Sequence, residues 1–353
     1  SLRHEDYPLF GSLLQAWVLG LVGDGDTVLL RLPLQLCALG LVAALASALR
    51  RHAGPWVAAA LTLSFVALPG TIEALTSAGS EAPVALGLVL AADAWLRHRA
   101  DGDDRWLALC AIGLALALFA KNDARLFVLA LGAGLGATRL LTPAAARREV
   151  PRAAALWALV PATVVGLTLA YNRWAGFEND LVTGKGTGEG LLARLATQPL
   201  ADATDTEGSY LAVTAHFFGD QLLTYPRYDG LAFSMALVAL VLALPLAWRR
   251  RRAAGAEEAA PEDPEDPVDP SAPAHSGQPA AEAAGLCLAV AAGLAGLFLI
   301  YLATPQPLAW HLASSAPRVA WQLIPLALLA VAVAVAPRTT PWPDDVDSHR
   351  SNP

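Results

Sequence analysis

The chain has 353 residues, 55% of them hydrophobic, a mean hydropathy of +0.46 and a formal net charge of −7. Ordinary soluble domains are about 45–50% apolar, and the stretches 286–302 and 319–336 carry no charge at all, which excludes a soluble core helix with a polar face. The basic residues are scattered over segment ends instead of gathered on one face, so nucleic acid is not an expected partner. Nine segments are long and apolar enough to cross a bilayer, roughly 27–49, 55–70, 82–97, 106–120, 126–141, 153–171, 229–248, 284–303 and 318–336. The fold class expected is all-α, a polytopic transmembrane helical bundle with interfacial helices in its outer loops.

If the chain crosses at each segment, fifteen of its 24 basic residues fall on one side and eight on the other, with Arg31 inside a segment. The first side holds Arg50, Arg51, Arg97, Arg99, Arg105 and the run Arg249 to Arg252, among others. Cytoplasmic loops carry the excess of Lys and Arg. Residue 1 is therefore expected outside and residue 353 in the cytoplasm of a multi-pass plasma-membrane protein whose active face is extracytoplasmic. The chain opens Ser-Leu-Arg-His on that outer side, from which a further crossing upstream of residue 1 is expected.

In chain order, residues 1–26 form a first outer loop whose apolar stretch, Leu9 to Val22, is short for a crossing and reads as an interfacial helix. Residues 27–171 make a six-helix transmembrane part. The large outer loop 172–228 begins polar and glycine-rich and turns aromatic around Tyr210 to Tyr228, where one or two helices lying along the membrane are expected. A helix at 229–248 leads to 249–283, rich in Arg, then Glu, Asp, Pro and Ala, a composition too polar to order itself. Two C-terminal crossings fill 284–336, and 337–353 is a polar cytoplasmic tail. Cys37, Cys110 and Cys287 all fall inside apolar segments and read as core residues, and no Cys and His cluster suggests a metal.

The polar residues that stand out lie on the outer side. His4-Glu5-Asp6-Tyr7-Pro8 sets an imidazole and two carboxylates before a rigid proline turn, where a carboxylate can take a proton from an acceptor; a solvated loop fits the same residues. Lys121-Asn122-Asp123-Ala124-Arg125 places two cations and an acid at the outer end of an apolar helix. Ionisable groups at that depth are costly. Lys121 and Arg125, four apart, are expected to share a helical face and suit a phosphate; charges snorkelling to water is the alternative. Arg318 is expected at the start of the last helix, against the macrodipole, with Gln322 one turn on. His311 reads as a loop histidine between 304 and 317. Glu73 and Glu81 flank a short outer loop, and Asp93 reads as structural, with Arg97 at i+4 as partner.

Three of these stretches resemble GT-C glycosyltransferases, integral membrane enzymes that take a sugar from a polyprenyl-phosphate carrier. The nearest in pattern are protein O-mannosyltransferases and lipid A aminoarabinose transferases. His4 to Leu9 followed by an apolar stretch is similar to the family's first-loop motif. Ala120 to Ala124 is similar to its Thr-Lys-Asn-Glu-Gly stretch, with Asp123 and Ala124 in place of Glu and Gly. Ser315 to Pro325, with Arg318 and Gln322, is similar to its late arginine-bearing helix. The resemblance implies an inverting transfer from a polyprenyl-phosphate-sugar donor to a protein, lipid or glycan acceptor. It implies Asp6 or Glu5 as catalytic carboxylate and Lys121, Arg125 and Arg318 as carrier-phosphate contacts. His4, Tyr7, Asp123, His311 and Gln322 are further expected substrate contacts. In that family the leading Asp follows the first membrane helix, so the principal base is equally expected before residue 1. No cofactor beyond the lipid donor is expected, and dependence on a divalent metal stays open. The competing expectations are a transporter of a small solute or lipid-linked glycan, and a non-catalytic membrane scaffold.

Overall fold

A computed structural model describes residues 9–23, 27–76, 79–141, 150–177, 189–224, much of 233–249, and 278–335. The described residues are helical throughout, apart from connecting turns and one isolated bridge between Asp202 and Ser209. In chain order the helices are α1 (Phe10–Val22), α2 (Thr27–Ala67), α3 (Pro69–Thr76), α4 (Glu81–Asp101), α5 (Asp104–Ala120), α6 (Ala124–Leu141), α7 (Val150–Ala175), α8 (Leu191–Thr197), α9 (Tyr210–His216), a π-helical turn at Phe217–Thr224, α10 (Gln278–Leu302), α11 (Leu308–Trp321) and α12 (Ile324–Val335). The motif at 4–8, residues 250–277 of the linker expected over 249–283, and the tail 337–353 lie outside the described residues; the last six residues of that linker are instead the first of α10, whose helix starts at Gln278.

Two close helix crossings organise the bundle, and glycine makes both possible. Gly87 of α4 lies against Gly113 and Ala117 of α5; a Cβ added to Gly87 would sit 2.9 Å from the Ala117 nitrogen, and one on Gly113 2.9 Å from the Ala91 nitrogen. Each helix therefore presents small residues four apart, Gly87 with Ala91 and Gly113 with Ala117. Small residues let backbones approach where burial from water supplies no drive between helices. Gly134 and Thr138 of α6 meet Gly285 and Ala289 of α10 in the same way. In both pairs early residues of one helix face late residues of the other, so both pairs run antiparallel.

Gly54, with φ 77° and ψ 167°, interrupts α2. Only glycine occupies that region cheaply. Before it, Gly40 lies near Leu86 and Arg51 reaches Asp93, so the first arm runs parallel to α4. After it, Phe65 stacks on Trp321 near the start of α4. The chain reverses at Gly54, as the loop expected between the first two apolar segments requires.

Val28–Ala67 and Ala280–Leu302 are long and apolar enough to cross a membrane, and up to four spans result if each bent pair counts as one: Pro69–Thr76 with Glu81–Asp101, bent by 109°, and Leu308–Trp321 with Ile324–Val335, bent by 42°. Among the described residues, length and composition thus give two to four spans, with Val28–Ala67 counted as one across its break at Gly54, and the nine expected are not borne out in full. Two of the expected segments fall short by length: α5 has 17 residues and the apolar stretch of α6 ends at Thr138, whereas an upright crossing takes about 20. Leu36, Leu39, Leu63 and Leu129 project outward from mid-helix positions, a surface suited to lipid tails and ill suited to water.

Candidate functional site

The apolar run of α5 ends at Ala120, and Lys121 leaves the helix with an extended backbone at φ −158°. Asn122 and Asp123 form the turn into α6, closed by the Ala124, Arg125 and Leu126 amides donating to the carbonyls of Lys121, Asn122 and Asp123. Lys121 is buried, yet its Nζ stands 3.2 Å from Glu81 Oε1 and 3.0 Å from Asp123 Oδ2. Glu81 opens α4, where a carboxylate complements the positive helix end, and it too is buried. Arg318 Nη1 approaches the same Oε1 at 3.9 Å, with 56% of its side chain exposed. Two cations and two carboxylates from α4, the α5–α6 turn and α11 thus share one end of the bundle.

A wall beside this cluster holds α11 in place. Trp321 Nε1 donates to the buried Thr71 hydroxyl of α3 at 2.9 Å, and the Phe65 ring stacks on the indole with centroids 5.8 Å apart. Arg318 lies one turn before Trp321 and donates its Nε to the Ser314 carbonyl at 3.1 Å. Gln322 and Leu323 form the break between α11 and α12. Gln322 is fully buried, and neither end of its side-chain amide has a hydrogen-bond partner among the described residues.

Several placements differ from the sequence expectation. Arg318 sits in the last turn of α11, so its charge favours the helix dipole instead of opposing it. His311 lies within α11, not in a loop: its Nδ1 is 2.6 Å from Thr304 Oγ1, and its ring packs edge-on against Tyr301 at 4.9 Å. Lys121 caps α5 while Arg125 opens α6, so the shared helical face expected from their spacing is absent. Arg125 is half-buried on that first turn. Of the expected residues, Lys121, Asp123 and Arg318 come together, with Gln322 one turn beyond Arg318; His311 belongs to a separate cluster on the same helix. Glu5, Asp6, His4 and Tyr7 lie outside the described residues. Glu81, which joins the two cations, was expected to flank a loop and, no more than Glu73, to line the site. Its local signal was an acid at the head of an apolar run.

Asp93 marks a second charged tier. Its carboxylate accepts from Arg97 Nε at 3.1 Å and from both Nε and Nη2 of Arg51. The Arg97 guanidinium also covers the Trp106 ring, 4.3 Å from its centroid. The structural reading of Asp93 holds, with Arg51 as an added partner.

At the end of the bundle that carries Lys121, a pocket of about 390 Å³ opens between α8, the segment 198–204, the start of α9 and the bend 303–307. Beneath it Arg194 is almost wholly buried, donating from Nε to the Ala303 carbonyl and from Nη1 to the Glu189 carbonyl, each at 2.8 Å. Among the described residues no group of His, Cys, Asp and Glu has the arrangement of a metal site. No family model matches the chain, no curated protein matches it, and no solved structure matches it.

Proposed function

We propose that the protein is an integral-membrane glycosyltransferase that moves a sugar, with inversion, from a polyprenyl-phosphate carrier to an acceptor on the extracytoplasmic side. The observation that supports it is the convergence of Lys121 and Arg318, nearly 200 residues apart in sequence, on the single carboxylate of Glu81. Arg318 keeps more than half of its side chain exposed and is the group suited to grip a phosphate with its planar fork. Lys121, held between two carboxylates, fixes Glu81 and through it Arg318. In the reaction the acceptor oxygen bonds to the anomeric carbon as the bond to the phosphate oxygen breaks. The acceptor's proton goes to a carboxylate, and the electron pair leaves on the carrier phosphate. Charge growing on that phosphate is stabilised by a cation already in position. Glu81 is already engaged by both cations, so the proton falls to Asp6 or Glu5.

A second reading, solute transport, draws on the two bent helix pairs whose breaks flank Glu81 and Gln322; transporters commonly bind at such breaks. Proteoliposomes separate the two. Transfer predicts release of labelled sugar from polyprenyl-phosphate-mannose or a related donor. R318A is expected to lower the rate at least about tenfold, a loss of about 1.4 kcal/mol. Unchanged release in R318A removes the cluster from the mechanism, and solute flux without carrier lipid or sugar release favours transport.

A further inference from the structure

We propose that the pocket between α8, α9 and the bend 303–307 binds a neutral carbohydrate. Beside Glu189 and Arg194, its polar lining is of hydroxyls and amides: Thr197, Gln198, Thr204, Thr304 and Gln306. Such groups both donate and accept, as sugar hydroxyls require. Pro305, Pro307, Ala201 and the Tyr210 ring add the apolar wall that the C–H faces of a pyranose need. A volume of about 390 Å³ falls in the range of small-molecule sites, about 300–1,000 Å³.

Charge points to a neutral ligand. Arg194 and Glu189, both in the lining, are of opposite sign, and Arg194 spends donors on the wall itself, at the Ala303 and Glu189 carbonyls. The pocket is also built before any ligand arrives. Gln198 Nε2 donates to the Thr304 carbonyl at 2.9 Å, the Tyr210 amide to the Ala201 carbonyl at 3.0 Å, and the Trp310 amide to Asp205 at 3.2 Å. Walls ordered in advance spare a ligand the entropy of ordering them.

The location adds to this. Antiparallel packing of α6 and α10 brings the end of α10 beside the Lys121–Asp123 turn, so the pocket and the charge cluster share one end of the bundle. His311, Ser314, Ser315 and Arg318 follow at helical spacing along one face of α11. Thr304 bonds His311, the His311 carbonyl accepts from Ser315, and the Ser314 carbonyl accepts from Arg318. A polar face therefore runs from the pocket to Arg318. The site itself stands on the pocket; that its occupant is the sugar acceptor rests on the transfer reading above.

Maltose serves as the probe, titrated against the full chain in lipid nanodiscs free of sugar detergent and read by saturation-transfer NMR. Ala201 and Thr204 are exposed at the pocket rim, so A201W and T204W fill the space without entering the core, and a thermal melt of each establishes that it folds. Wild type is expected to give maltose signals that fall at least about tenfold in whichever blocked variant melts normally. No signal from wild type, or equal signals from a folded blocked variant, overturns the proposal. Sugar release in R318A tests the transfer reading separately, because maltose binding does not involve that arginine.

Discussion

Glu81 and Lys121 meet with less than a tenth of either side chain exposed. Removing one member of such a buried pair strands the other, a cost of about 3–5 kcal/mol, whereas exchanging both for apolar groups is often close to neutral. Asp123 remains beside Lys121 when Glu81 is lost, so E81A is expected to cost about 3 kcal/mol, at the low end of that range. The double variant E81L/K121M is expected to recover most of it. Denaturant unfolding in detergent measures both, and an E81A midpoint equal to wild type would show that the pair carries no stability. Lys121 was legible in the sequence because an ammonium at the end of an apolar run is conspicuous. Glu81 was not, because its partners come from 40 and more than 200 residues away, and no local pattern encodes such a meeting. Arg194 was hidden for the same reason: its partner, the Ala303 carbonyl, lies 109 residues on.

Among the elements, the α6–α10 crossing makes the sharpest claim. A methyl group on Gly134 would stand 2.8 Å from both the nitrogen and the Cβ of Ala289, while one on Gly136 would meet nothing within 4 Å. G134A is therefore expected to destabilise by about 1–3 kcal/mol through overpacking. G136A, in the same helix, is expected to stabilise by about 0.5–1 kcal/mol, because alanine loses less freedom on folding. Thermal unfolding of the two variants side by side checks the contrast; matching shifts would mean that the crossing is looser than drawn. The apolar runs revealed that these helices exist, but not where α11 begins. His311, Ser314, Ser315, Pro317 and Arg318 break its hydropathy, so the sequence read as a loop up to Arg318. Tertiary contacts supply what the local pattern lacks: the polar face of α11 is met by Thr304, Tyr301 and Glu81. Two to four of the nine expected spans are long and apolar enough among the described residues, because hydropathy registers an apolar segment without registering a bend such as the one between α11 and α12.

For the molecule as a whole, the two charged tiers lie at different levels along α4. Trp56 stands exposed beside the Gly54 reversal near Arg51, and Trp310 half-exposed at the start of α11, positions suited to aromatic anchors at two membrane surfaces. With Cys37, Cys110 and Cys287 replaced, A201C is expected to react with an impermeant maleimide on intact cells, and A100C, beyond the Arg97 tier, only after permeabilisation. The reverse pattern would invert the sidedness read from the arginines. The span of α4 carries a consequence of its own. Glu81 and Asp93 lie twelve residues apart on that helix, about 18 Å along its axis, and a hydrocarbon slab is about 30 Å thick. With α4 set across such a slab, the two tiers cannot both reach its faces, so at least one set of ions is submerged below the headgroups. The Glu81–Lys121 pair, with less than a tenth of either side chain exposed, is screened little by dissolved counterions. Brine that would dissolve a surface ion pair leaves this one gripping as before.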